Sequence, residues 1–212
     1  MNISVIGVGN MGKGLAGLFS KAGYGVILGS RNPASASATV KSLGANVRGA
    51  SVAEAAKHSE VVVLAVPFAA VAETLAAAGD LAGKTIVDIT NPLTADYAGL
   101  TIGHTTSAAE EIQKLAPQAK VVKAFNTIFA SVLQAGGKVQ GVPATVFIAG
   151  DDEAANRTVA SIAAKAGFAP LQVGALKAAR YLEPVAGLNI ALGYGRGLGT
   201  DIAPTWIAAK AA

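Results

Sequence analysis

Apolar runs of four to seven residues recur along the chain, and most are followed by stretches in which apolar positions return every three or four residues. Runs rich in Val and Ile predict strands at 2–6, 25–28, 45–48, 60–66, 84–89, 120–125, 144–149 and 170–173. The helical period predicts helices at 11–22, 34–43, 52–58, 68–78, 107–115 and 152–166, with Gly23 and Gly44 closing the first two. Pro67 ends one strand and Asn91-Pro92 follows the next. Strands that alternate with helices predict a Rossmann-type α/β fold, a doubly wound parallel sheet. After Lys177 the strand signal stops. Residues 178–193 read as a terminal helix, followed by the glycine-rich segment 193–199 and a short tail with Trp206. The expected division is an NADP-binding Rossmann domain over residues 1–176. A short C-terminal helical extension, residues 177–212, packs on it in one structural unit.

Gly7, Gly9 and Gly12 form G-x-G-x-x-G between the first predicted strand and the first predicted helix. In that context the first glycine makes a tight turn and the second admits the backbone to a pyrophosphate. The third lets helix and strand pack closely. The helix N-terminus then offers free N–H groups to the phosphates. In NAD sites the second strand is followed by an acid that accepts from the ribose 2′-hydroxyl. Here Gly29-Ser30-Arg31 stands there instead. A serine hydroxyl and a planar guanidinium suit a 2′-phosphate, so the cofactor expected is NADPH/NADP. The alternative is a solvated arginine in a loop.

Composition narrows the class. Of 212 residues, 52% are hydrophobic and 14% charged, enough for a large core and an apolar interface, so a homodimer is expected. The longest apolar run, residues 61–72, is broken by Pro67 and falls short of the roughly 18 residues of a membrane span. With no cysteine, disulfides, zinc thiolates and thiol nucleophiles are excluded, and no metal site is expected. The N-terminus opens directly on a strand, which reads as cytoplasmic. The net charge of +4 comes from scattered residues with no aromatic–basic patch, so no nucleic-acid partner is expected. Asp151, Asp152 and Glu153 read as an acidic helix start, and His58 as a surface residue.

The segments ISVIGVGNMGKGLA, VILGSRNP, VVVLAVPF, IVDITNPL, KAFNT, FIAGDDEAA and ARYLEPVAGLNIALGYGRGLG occur in that order over nearly the whole chain. Together they resemble the coenzyme F420-dependent NADP oxidoreductase family. They are also similar to the oxidoreductase domains of the STEAP metalloreductases and, more distantly, to the N-terminal domain of pyrroline-5-carboxylate reductase. The resemblance implies hydride transfer between NADPH and the deazaflavin F420, a reaction that needs ring stacking and water exclusion more than acid–base residues. Another small acceptor, such as a flavin, a ferric chelate or an imine, would suit the same half-site, as would a non-catalytic NADP-binding redox sensor.

The matching segments put Val8, Gly9, Asn10 and Met11 along the pyrophosphate and inner ribose. They put Ala65, Val66 and Pro67 at one strand end, with Asn91 and Asn126 at the next two. The last three would converge on the nicotinamide, with either asparagine bonding the carboxamide or the partner ring, or capping a turn. His104, Glu183 and Asn189 are open between cleft and structural roles. The glycines at 193, 195, 197 and 199 permit close approach of a second subunit or a cofactor.

Overall fold

A computed structural model of the chain describes residues 1–206. Residues 207–212, which the sequence assigns to the C-terminal extension, lie outside the described residues. The strands are β1 (Asn2–Ile6), β2 (Gly25–Ser30), β3 (Val47–Ser51), β4 (Val61–Leu64), β5 (Thr85–Asp88), β6 (Lys120–Lys123), β7 (Lys138–Val139), β8 (Val142–Pro143), β9 (Thr145–Gly150) and β10 (Ala169–Gly174). The helices are α1 (Asn10–Lys21), α2 (Pro33–Val40), α3 (Val52–Lys57), α4 (Val71–Ala78), α5 (Ala108–Leu115), α6 (Ala130–Gln134), α7 (Glu153–Lys165) and α8 (Ala179–Ile190).

Eight strands form one sheet in the order β10-β9-β6-β5-β4-β1-β2-β3. The central strands are buried on both faces, and alternate residues feed two cores. Ile3, Val5, Val61 and Val63 pack with α1 and α7, whereas Ile6, Val62 and Leu64 pack with α3, α4 and α5. Helix starts follow side-chain chemistry. Ser51 accepts from the Glu54 N–H, Ser107 from Glu110 and Asp152 from Ala155, while Asn32 caps α2 with Pro33 in its first turn. The acids at 151–153 therefore open α7 as expected, and His58 ends α3 half-exposed beside Glu54.

The doubly wound, mostly parallel sheet is as expected, and two details go beyond the sequence reading. β9 pairs antiparallel to β6, and β10 runs parallel to β9. The connection between β6 and β9 holds only the five-residue α6 and a hairpin, β7–β8. Gln140 and Gly141 at its tip both have positive φ, 49° and 81°, the signature of a two-residue type I′ turn. Without a long crossover helix, the chain re-enters the sheet from the end it has just left. The second difference is at the C-terminus. α8 ends at Ile190 and passes into a π turn, Ala191–Gly195, short of the predicted 193 as an α-helix. No helix among the described residues is long and apolar enough to cross a membrane.

Candidate functional site

The sheet order reverses between β1 and β4, and open α/β sheets bind ligands in the crevice outside their strand ends at that point. The turn after β1 is built by its glycines. Gly7 has φ 126°, and a Cβ there would overlap the Ala65 carbonyl; a Cβ on Gly12 would overlap the Gly7 carbonyl. Both positions therefore admit only glycine. Gly9 differs, because a Cβ there would meet nothing within 4 Å and would point into open space. Among the described residues no side chain caps α1, so the N–H groups of Asn10, Met11 and Gly12 precede its first internal bond, Lys13 N–H to Gly9 O at 2.9 Å. Val8 and Met11 are half-buried against the core. Open space, free donors and a helix dipole fit a dinucleotide pyrophosphate.

Gly29 accepts from the Gly7 N–H at 2.9 Å, which ties this turn to the end of β2. Ser30 follows, half-buried, and its Oγ accepts from the Asn32 N–H at 3.2 Å while its own hydrogen stays available. Arg31 is exposed and meets Glu73 of α4 at 3.4 Å. The end of the second strand is where Rossmann folds meet the ribose 2′-position, and the donors at this turn suit a phosphate.

Asn91 and Asn126 lie three residues beyond the ends of β5 and β6. They clasp each other: Asn91 Nδ2 donates to the Asn126 carbonyl at 2.9 Å, and Asn126 Nδ2 donates to Asn91 Oδ1 at 3.0 Å. Asn126 Nδ2 also donates to the Leu182 carbonyl of α8 at 3.0 Å. Its other amide atom, Oδ1, is buried with no partner among the described residues, an acceptor left open. Both asparagines line a cavity of about 240 Å³ with Met11, Phe129, Asn189 and Tyr194. Phe125, just before Asn126, has φ 59° in the left-handed region although it is bulky and 1% exposed. Its ring is held edge-on between Phe19 and Phe168, at 6.0 and 5.6 Å between centroids. That packing sustains a strained turn that aims Asn126 at the cavity.

Beneath the clasp is a charge cluster. Lys123 Nζ donates to Asp88 Oδ2 at 2.8 Å, Glu183 Oε1 at 2.7 Å and the Thr90 carbonyl at 2.6 Å. The three charged side chains are at most 1% exposed. Asp88 Oδ1 accepts from the Thr90 N–H, and Glu183 accepts from Ala108 and Ala109 at the start of α5. Burial raises the Glu183 carboxyl pKa above the ordinary glutamate range, and Lys123 offsets only part of that. The cluster joins β5, β6, α5 and α8, the elements that carry or brace the two asparagines.

The structure thus brings Met11, Asn91 and Asn126 to one cavity, with Asn189, whose Nδ2 donates to the Thr127 carbonyl at 3.0 Å. Pro67 is not among the residues lining it; Ala65 and Val66 are half-buried and Pro67 exposed at the end of β4. Glu183 serves the buried cluster. His104 lies in the loop before α5 with φ 56°, and its carbonyl accepts from Arg180 at 3.4 Å. Gly193 approaches its own chain, the Gly199 carbonyl and the Phe129 ring. Sequence reading missed Lys123, Asp88, Phe129, Tyr194 and Glu73. For Lys123 and Asp88 a signal existed, a second charge set among apolar residues beyond the opening lysine of each predicted strand, in KTIVDI and KVVKAF. Among the described residues no group of three or more metal-ligating side chains occurs.

Comparisons with known proteins agree with this geometry. Residues 2–92 match the family described as NADP oxidoreductase coenzyme F420-dependent. The F420-dependent NADP reductase of Methanothermobacter thermautotrophicus is 33% identical over 208 residues, 91% of this chain and 89% of that protein. Metalloreductase STEAP3 of Rattus norvegicus is 34% identical over 183 residues, 86% of this chain; the chain spans 36% of that longer protein. A crystal structure from Arthrobacter sp. FB24, provisionally described as an F420-dependent NADP reductase, superposes with a TM-score of 0.85. It is 33% identical, over 93% of this chain and 96% of that one. An N-terminal glycine turn of this geometry, and relatives matched along almost their entire length, mean that the chain belongs to the F420-dependent NADP reductase family, as an NADP-dependent oxidoreductase.

Proposed function

We propose that the chain transfers a hydride between NADPH and coenzyme F420, a reading supported by relatives named F420-dependent NADP reductases. Bound NADPH supplies the hydride from nicotinamide C4 to C5 of the deazaflavin ring. In this reading Gly7, Val8, Gly9, Asn10, Met11 and Gly12 hold the pyrophosphate and inner ribose. Ser30 and Arg31 hold the 2′-phosphate, and Ala65, Val66 and Pro67 flank the dinucleotide from β4. Asn91 and Asn126 orient the nicotinamide carboxamide. The observation that carries it is the buried, unpartnered Asn126 Oδ1 at a cavity of mixed character, since a carboxamide NH₂ is a donor that would satisfy it. No side chain need move a proton in a direct hydride transfer, and positioning does the catalytic work. The reading also divides the chain into a Rossmann domain, residues 1–176, and a helical extension, and it has the protein act as a cytoplasmic homodimer.

NADPH oxidation with F420, FMN and riboflavin in parallel tests the acceptor, and F420 should be reduced fastest. NADPH deuterated on the transferred face should deliver deuterium to C5 of F420. Deuterium released to solvent, or reduction of a flavin but not of F420, would refute the F420 assignment and favour a reductase of another small acceptor.

A further inference from the structure

The acid missing after β2 stands on the opposite wall of the crevice. Glu73 lies in the first turn of α4, the helix that follows β4, and both of its carboxylate oxygens approach the same Arg31 nitrogen, Nη1, at 3.4 and 3.5 Å. That is not the two-nitrogen fork of a well-formed arginine–carboxylate pair. The two side chains are 72% and 66% exposed, so the contact does little for the fold. It does engage one nitrogen of the guanidinium that a 2′-phosphate would use, and it leaves Arg31 and Glu73 with no net charge between them.

We infer that Glu73 is a specificity-determining residue that restrains the preference for NADP over NAD. Its carboxylate competes with the 2′-phosphate for Arg31 and repels that dianion across the crevice. Toward NAD(H) it acts in the opposite sense, as an acceptor for a ribose hydroxyl, the part usually played by an acid at the end of the second strand. The inference rests on the proposed seat of the 2′-phosphate at Ser30 and Arg31. Removing one negative charge close to a dianion in a solvated site strengthens binding by roughly three- to tenfold, less as salt screens it.

Equilibrium titration of the wild type, Glu73→Gln and Arg31→Ala with NADPH, NADH and 2′,5′-ADP tests it at low and physiological ionic strength. Glu73→Gln should bind NADPH and 2′,5′-ADP roughly three- to tenfold more tightly, with NADH unchanged or weaker, and the gain should shrink with salt. Glu73→Ala should act in the same direction, so that loss of the charge and not the new amide is responsible. If both Glu73 variants bind NADPH no better than wild type while Arg31→Ala loses NADPH affinity, the inference fails and the 2′-phosphate seat stands. If Arg31→Ala leaves NADPH affinity unchanged, the seat itself is misplaced and the inference falls with it.

Discussion

Asn126 concentrates the chemistry of the site in one side chain. Its NH₂ is spent on Asn91 and Leu182, and its Oδ1 waits for a donor. The left-handed turn at Phe125 that presents it costs on the order of 1–3 kcal/mol and persists because the Phe125 ring is locked between two others. Asn126→Ala should therefore lower turnover roughly ten- to a hundredfold without abolishing it, because the proposed pyrophosphate and 2′-phosphate contacts would remain. Steady-state kinetics checks this, with NADPH affinity expected to change far less than kcat. An unchanged kcat would remove Asn126 from the positioning role.

Between elements, the decisive contact is Lys123 with Asp88 and Glu183. Asp88 and Lys123 are directly paired in register on β5 and β6, and Glu183 arrives from α8. Lys123→Met would leave two buried carboxylates facing each other, and the expected loss is about 3–5 kcal/mol in denaturant unfolding. A second link, Arg180 of α8 to Glu110 of α5, is bonded through two nitrogens at 2.8 and 2.6 Å. The Arg180 guanidinium, with Ser107, holds the Glu110 carboxyl below the ordinary glutamate range. Its contribution to stability is then full above that range and is lost as pH falls through the lowered pKa. Glu183 acts in the opposite sense. Its pKa is raised, so its contribution is full below the ordinary range and fades as pH rises through the raised value. The melting-temperature gap between wild type and Glu110→Gln should close toward acid pH. A gap that is constant with pH would contradict the assignment.

For the whole molecule, the outward face of α8 and the segment after it expose large apolar side chains, with Arg196 among them. Tyr181, Leu188, Tyr194 and Leu198 are 60–76% exposed, and the edge strand β10 adds Leu171 and Val173. An exposed apolar set of this kind, and a strand edge without charged residues, are what a second copy of the chain would cover. Light scattering at low micromolar concentration should give twice the 21.0 kDa chain mass. Leu188→Glu should shift it toward the monomer without unfolding it. A wild-type protein that scatters as a monomer would overturn the homodimer.

Local order was legible from the amino acids alone because it depends on neighbours in sequence. The strand–glycine turn–helix opening, the acidic helix start at Asp152, and the alternation of apolar runs with helical periods all have causes within a few residues of themselves. The requirement for glycine at positions 7 and 12 was likewise readable from the motif, and the overlaps a Cβ would make give its reason. What only the tertiary structure decided depends on residues far apart in the chain. The antiparallel entry of β9 follows from the lack of a crossover helix after β6, which apolar periodicity does not encode. The Asn91–Asn126 clasp joins residues 35 apart, the Arg31–Glu73 pair residues 42 apart, and the Lys123–Glu183 bond residues 60 apart. A polar or charged residue in an apolar strand declares that it needs a partner, because burying it alone is costly, but only the folded chain says which partner it finds.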